Sequence, residues 1–107
     1  MSVHEVTVDE LAEALRSGAR LVDVRETDEY VGGHVPGAVH VALGTVPDHV
    51  DAFRGDGPCY VICAVGGRSM RACQYLAQFD IEVVNVAGGT RDWILGGHPV
   101  VTGESPS

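Results

Sequence analysis

The strongest constraint on the fold is the spacing of short apolar runs. Residues 21–24 (Leu-Val-Asp-Val), 38–41 (Ala-Val-His-Val), 59–63 (Cys-Tyr-Val-Ile-Cys) and 83–86 (Val-Val-Asn-Val) are each too short for a helix. They are rich in β-branched and apolar side chains, the pattern of strands buried on both faces. A further short run, residues 3–6, precedes them. Segments of helical period lie between several of these runs. Parallel neighbours need a crossover, so this alternation specifies an α/β domain. The expectation is a five-stranded, mostly parallel sheet with helices on both faces.

Local signals place the connections. Thr7 is an N-cap with Glu10 spaced for a capping box, and Gly18 ends the helix that carries Leu11, Ala14 and Leu15. Residues 27–31 can form one short helical turn before Gly32 and Gly33. Val35-Pro36-Gly37 is a turn, and Thr45 can open a short helix reaching Phe53. Residues 68–79 should form a helix with Ser69, Ala72, Cys73 and Leu76 inward. Thr90 can cap a last helix through Trp93 and Leu95. Residues 97–107, rich in Gly, Pro and Ser, are expected to form a loosely ordered tail. A chain of 107 residues fits one domain, with a core over about residues 4–100.

Charge limits the partners. The formal net charge is -8, and all seven fixed cations are arginines. Nucleic acid and anionic membrane both need clustered cations, so neither is an expected partner. No run approaches a membrane span, and residues 1–10 lack the basic region of a signal peptide. Three cysteines do not make a disulfide framework. A reducing cytoplasmic setting follows as the expectation.

Cys63 is the candidate reactive group. It ends a buried strand, a glycine-containing turn follows, and a helix then begins. In parallel α/β sheets, sites form outside the carboxyl ends of strands. A helix N-terminus there presents unpaired N–H groups that favour an anion, and a thiolate is the nucleophilic form of cysteine. Gly66 and Gly67 permit the tight backbone such a ring of N–H groups requires. Arg68 adds a fixed cation.

Cys63-Ala64-Val65-Gly66-Gly67-Arg68-Ser69 resembles the active-site loop of rhodanese-like domains, C-x-x-G-x-R-S. Leu21-Val22-Asp23-Val24-Arg25-Glu26 is similar to that family's D-V-R-E strand end. Gly33-His34-Val35-Pro36-Gly37-Ala38 is similar to its G-H-I-P-G-A turn, and Gly88-Gly89 with Trp93 to its late G-G-x-x-x-W element. The four motifs occur in order over roughly residues 4–100. The resemblance implies a sulfurtransferase in which Cys63 takes a sulfane sulfur as a persulfide. It implies thiosulfate or another sulfane donor, and cyanide or a thiol as acceptor. The backbone amides of Ala64, Val65, Gly66, Gly67 and Arg68 would hold the persulfide, with Asp23, Arg25 and Ser69 in support. No cofactor or metal is implied.

Loop length separates this loop from its phosphate-binding relatives. Dual-specificity phosphatases and arsenate reductases use C-x5-R, which would put arginine at position 69, where Ser69 stands. The shorter loop suits a sulfur atom better than a phosphate. Thiosulfate-preferring members often place cations directly after the cysteine, whereas Ala64 and Val65 are uncharged. The reaction type is therefore better specified than the donor.

Other candidates carry plainer readings. Cys59 and Cys73 read as core thiols, and a zinc site is not expected because Cys59 and Cys63 lack C-x-x-C spacing and no His pair completes a set. Asp23 and Arg25 either brace the catalytic loop or form a structural ion pair elsewhere. His34 reads as a turn and packing residue, Trp93 as core and Arg68 first as a loop anchor. Asp80 stands where the resembling family often has a glycine, and Asp tolerates the left-handed conformation at modest cost. Two other classes of function stay open. One is a carrier or interaction module loaded by a protein donor such as a cysteine desulfurase. The other is a catalytically silent regulatory domain.

Overall fold

The structure, a computed structural model, describes residues 3–107. Its five strands are β1 (His4–Val6), β2 (Arg20–Asp23), β3 (Val39–His40), β4 (Cys59–Ile62) and β5 (Val83–Val86). They form one sheet in the order β1-β5-β4-β2-β3. Every strand pair is parallel, with Asp23 beside Ile62 and Val61 beside Asn85. The helices are α1 (Val8–Arg16), α2 (Thr27–Gly32), α3 (Gly67–Ala77) and α4 (Gly89–Leu95).

The two sheet faces bury different sets. Leu11 and Ala12 of α1, Tyr30 of α2 and Trp93 of α4 pack with Leu21, Ile62 and Val86. Ala72, Cys73 and Leu76 of α3 pack with Val22, Val61 and Phe53 on the other face. Helices thus cover both faces, as a parallel sheet requires. The Thr7–Glu10 capping box forms as expected, with reciprocal bonds of 2.9 and 3.2 Å.

Two expectations are corrected. The short helix over residues 45–53 is a pair of 3₁₀ turns, Leu43–Asp48 and Val50–Phe53. Pro47 lies inside the first, and its missing N–H does not support a continuing α-helix. Residues 97–107 are tied down rather than loose. His34 and Val101 exchange two backbone bonds of 2.9 Å, Gly103 N–H donates to Val31 O, and Gly37 N–H donates to Pro106 O. The turn after α2 leaves these polar backbone groups without partners of its own, and the returning tail satisfies them.

The order of strands locates the crevice. From β2 the chain moves outward to β3, and from β4 it moves the other way to β5. The carboxyl ends of β2 and β4 therefore form a topological switch point, with α2 leaving one and α3 the other. Cys63 directly follows β4 at this point. No described helix is long and apolar enough to cross a membrane.

Candidate functional site

Cys63 sits at the bottom of a loop that folds back over its sulfur. Gly66 N–H donates to Sγ at 3.1 Å, and the Ser69 hydroxyl donates to it at 3.2 Å. The residue is only 1% exposed. Gly66 is the N-cap of α3 at φ 108°, a left-handed geometry that disfavours a side chain. The Ser69 hydroxyl also lies 3.3 Å from Gly66 O. It has one hydrogen to give, so it bonds to the carbonyl or to the sulfur, and an ionised sulfur draws it.

The loop's backbone is held by residues far along the chain. Thr90 donates to Cys63 O through N–H at 2.9 Å and through its hydroxyl at 3.1 Å. Arg91 N–H donates to Ala64 O at 3.0 Å. Asn85 Nδ2 donates to Gly66 O at 3.2 Å and to Glu5 at 2.7 Å. Gly89, at φ 57°, lies so close that a Cβ there would come within 2.5 Å of Cys63 O. The late glycine pair thus lets α4 dock its backbone directly on the Cys63 loop.

These contacts divide the three thiols. Burial pushes the Cys63 thiol upward, but the Ser69 hydroxyl and the N–H groups of Ser69, Gly66 and Val65 outweigh it. Its pKa falls below the ordinary value. Cys59 and Cys73 have burial without such donors, and burial pushes them up to about 11 and about 12. Only Cys63 combines a stabilised thiolate with a position at the switch point. All three cysteines are unpaired.

Arg68 does not turn toward the sulfur. Its guanidinium makes a bidentate pair with Glu29, at 2.8 and 2.9 Å. The hydrogen bond from Arg68, working against partial burial, holds the Glu29 carboxyl down at about 2. Glu29 also accepts from Glu26 N–H at 3.0 Å, within the capping box of α2. The pair spans the crevice and ties the helix after β2 to the helix after β4. Arg68 thus links the loop to α2 through Glu29.

Asp23 and Arg25 are both buried and pair with each other. Arg25 also donates to Gly33 O at 2.8 Å. Among the described residues, no hydrogen bond runs from either side chain to residues 63–68. They brace the end of α2, which is the structural alternative rather than direct support of the loop. His34 is fully buried and stacked on Tyr30, with ring centroids 3.7 Å apart. Its ring nitrogens meet Tyr30 O and Ser105 O, as befits a packing residue.

Three residues at the site were not singled out from sequence for these contacts. In the sequence Glu29 falls within the short helical turn over residues 27–31, Asn85 within a strand run, and Thr90 at the start of the last helix. Among the described residues, no group of three His, Cys, Asp or Glu side chains is placed to hold a metal ion.

Comparison with known proteins agrees with this fold. The family model "Rhodanese-like domain" matches residues 7–95. The Bacillus subtilis protein "Putative sulfurtransferase YtwF" is 35% identical over 95 residues, which are 87% of this chain and 92% of that protein. "Putative sulfur carrier protein YrkF", also from Bacillus subtilis, is 34% identical over 86% of this chain and 51% of its own length. A rhodanese-related protein from Thermoplasma volcanium superposes with a TM-score of 0.85 at 30% identity, covering 92% of this chain and 97% of that one. With its four motifs, its parallel sheet and its strand–loop–helix cysteine, the chain belongs to the rhodanese-like domain family.

Proposed function

We propose that the chain is a sulfurtransferase in which Cys63 accepts a sulfane sulfur as a persulfide and passes it on. The observation that carries this reading is the pair of donors on Cys63 Sγ, from Gly66 N–H and the Ser69 hydroxyl. With thiosulfate, the Cys63 thiolate attacks the sulfane sulfur. The bond between that sulfur and the sulfite sulfur breaks, and sulfite leaves with the electron pair. The outer sulfur of the resulting persulfide is then attacked by cyanide or a thiolate, and the Cys63 thiolate leaves. The amides of Ala64, Val65, Gly66, Gly67 and Arg68, at the start of α3, are suited to hold the anionic persulfide. No separate general base is needed once the thiol is ionised, and the donors on its sulfur favour that form. Ser69 stabilises the thiolate, and Arg68 acts through Glu29 on loop position. The unpaired buried cysteines favour a reducing, cytoplasmic setting.

The test is mass spectrometry after exposure to a sulfane donor. Cys63 should gain one sulfur atom, and Cys63→Ser should abolish transfer while keeping the fold. Full activity in that variant, or no gain with any donor under conditions that preserve persulfides, sinks the reading.

A second reading is a persulfide carrier loaded by a protein donor such as a cysteine desulfurase. Val65 favours it, since this apolar side chain is 58% exposed two residues from the sulfur. Turnover with free thiosulfate and cyanide separates the two. Repeated turnover supports the enzyme; a single loading from a protein donor only supports the carrier.

A further inference from the structure

The mouth of the Cys63 site has an unusual charge balance. Glu26 and Glu29 lie near Arg68, and Glu29 neutralises it. On the other side, the Asp92 carboxylate folds against Gly88. Ala64 and Val65 bring no charge. An anionic sulfur donor approaching this mouth needs a cation from another segment, because the whole chain carries -8.

Most of the arginines are already engaged. Arg16 pairs with Glu13, Arg25 with Asp23, Arg54 with Asp51 and Arg68 with Glu29. Arg20 donates to the carbonyls of Phe53, Arg54 and Gly57, beside the loop before β4 and so at the opposite end of the sheet. Among the described residues, Arg71 and Arg91 have no carboxylate partner within a salt bridge. Arg71 lines a groove with Leu43, Pro47 and Tyr75, one turn along α3 from the loop. Arg91 is different. Its own N–H is bonded to Ala64 O, so its backbone abuts the residue after the nucleophile. It is exposed, and it sits in the first turn of α4. Helical side chains lean toward the helix N-terminus, and the N-terminus of α4 rests on Cys63 O and Ala64.

We propose that Arg91 is the anion-binding residue of this site. Its guanidinium receives the oxyanion end of a thiosulfonate-type donor, thiosulfate or an organic thiosulfonate, with the sulfane sulfur aimed at Cys63. This rests on the sulfurtransferase reading above and assigns the residue that holds its anionic donor. In the transfer, Cys63 S⁻ forms a bond to the sulfane sulfur, and the sulfur–sulfur bond of the donor breaks. Sulfite leaves from thiosulfate, or a sulfinate from an organic thiosulfonate, carrying the electron pair. No proton and no outside reductant is required. The contact is made to the donor before and after transfer alike, so it acts on binding more than on the chemical step.

The experiment compares the full chain with Arg91→Gln, Arg91→Lys, Arg71→Gln and Arg54→Gln. Initial rates of sulfur transfer to cyanide are measured with thiosulfate, a dianion, and with methanethiosulfonate, a monoanion, at two ionic strengths. Arg91→Gln should raise KM for thiosulfate about fivefold, with a smaller rise for methanethiosulfonate and little change in kcat. Arg91→Lys should recover most of the loss. Added salt should raise the wild-type KM for thiosulfate and have less effect on Arg91→Gln. Arg54→Gln, with the same charge removed from the far end of the sheet, should behave as wild type. An unchanged KM in Arg91→Gln overturns the proposal. So does an equal loss in Arg54→Gln, which would indicate the field of the whole protein, or a loss confined to Arg71→Gln. A fall in kcat at unchanged KM overturns it as well. Wild-type protein that never gains sulfur on Cys63 overturns the function itself, and the donor assignment with it.

Discussion

The Ser69 hydroxyl lies 3.2 Å from Cys63 Sγ, inside a loop where both residues are buried. The separation of six positions along the chain is closed by the first turn of α3, which brings the hydroxyl under the sulfur. Among the described residues, Ser69→Ala removes the only side-chain donor to the thiolate and leaves the backbone donor of Gly66 in place. Alkylation of Cys63 at neutral pH should slow about tenfold, the low end of what a hydrogen bond to an ionised group contributes. The pH profile of alkylation should move to higher pH. An unshifted profile would remove Ser69 from the account of thiolate stability.

The three thiols give stability a maximum in pH. The folded pKa of Cys63 lies below the ordinary thiol value of 9.0, so its contribution is full above that value and is lost as pH falls through the folded pKa. Cys59 and Cys73 are raised to about 11 and about 12, so their contribution is full below 9.0 and is lost as pH rises toward those values. Denaturant unfolding across the alkaline range should show stability climbing toward 9.0 and declining beyond it. Cys63→Ser should flatten the climb and keep the decline.

Glu29 connects two helices through Arg68. Glu29→Gln keeps the size of the side chain and removes its charge, so the bidentate pair weakens and the loop loses its anchor. The pair is about one-third exposed on each side, so the stability loss should be about 1 kcal/mol or less. Sulfur loading should slow about threefold, since loop position rather than bulk stability is affected. Wild-type protein should also lose this contribution as pH falls from 4.5 toward 2, where Glu29 protonates. Unaltered loading in Glu29→Gln would show that the loop holds its shape without the pair.

Removing residues 101–107 deletes the backbone bonds of Val101, Gly103 and Pro106 and the contact of Ser105 O with His34. Five hydrogen bonds are lost, each contributing roughly 1 kcal/mol net, so the truncated chain should lose about 5 kcal/mol in denaturant unfolding. A change below about 1 kcal/mol would mean that water replaces the tail without loss.

What sequence reveals here follows the distance over which a signal acts. The capping box of Thr7 and Glu10 spans three positions and is legible, as are the strand runs and the loop that starts at Cys63. Asp80, where the family often has a glycine, is left-handed at φ 58°. The pairing of Arg68 with Glu29 crosses 39 positions, and that of Thr90 with Cys63 crosses 27. Both depend on the strand order, which brings α2 beside α3 and seats α4 on the loop. Asp23 and Arg25 had two readings because a strand-end ion pair can face either way, and only the bond to Gly33 O decides between them. The tail misled because Gly, Pro and Ser describe its own preferences and carry nothing about the unpaired backbone groups it meets.

The close packing of Gly89 on Cys63 O, together with the Gly66 amide on the sulfur, means that the cradle is largely main chain. Main-chain groups are the same whatever side chain they carry. Residues 64 and 65 can therefore be exchanged without disturbing what grips the sulfur. Their side chains belong to whatever comes to the door, and a library varied at those two positions would redirect the traffic of sulfur while the grip itself stayed untouched.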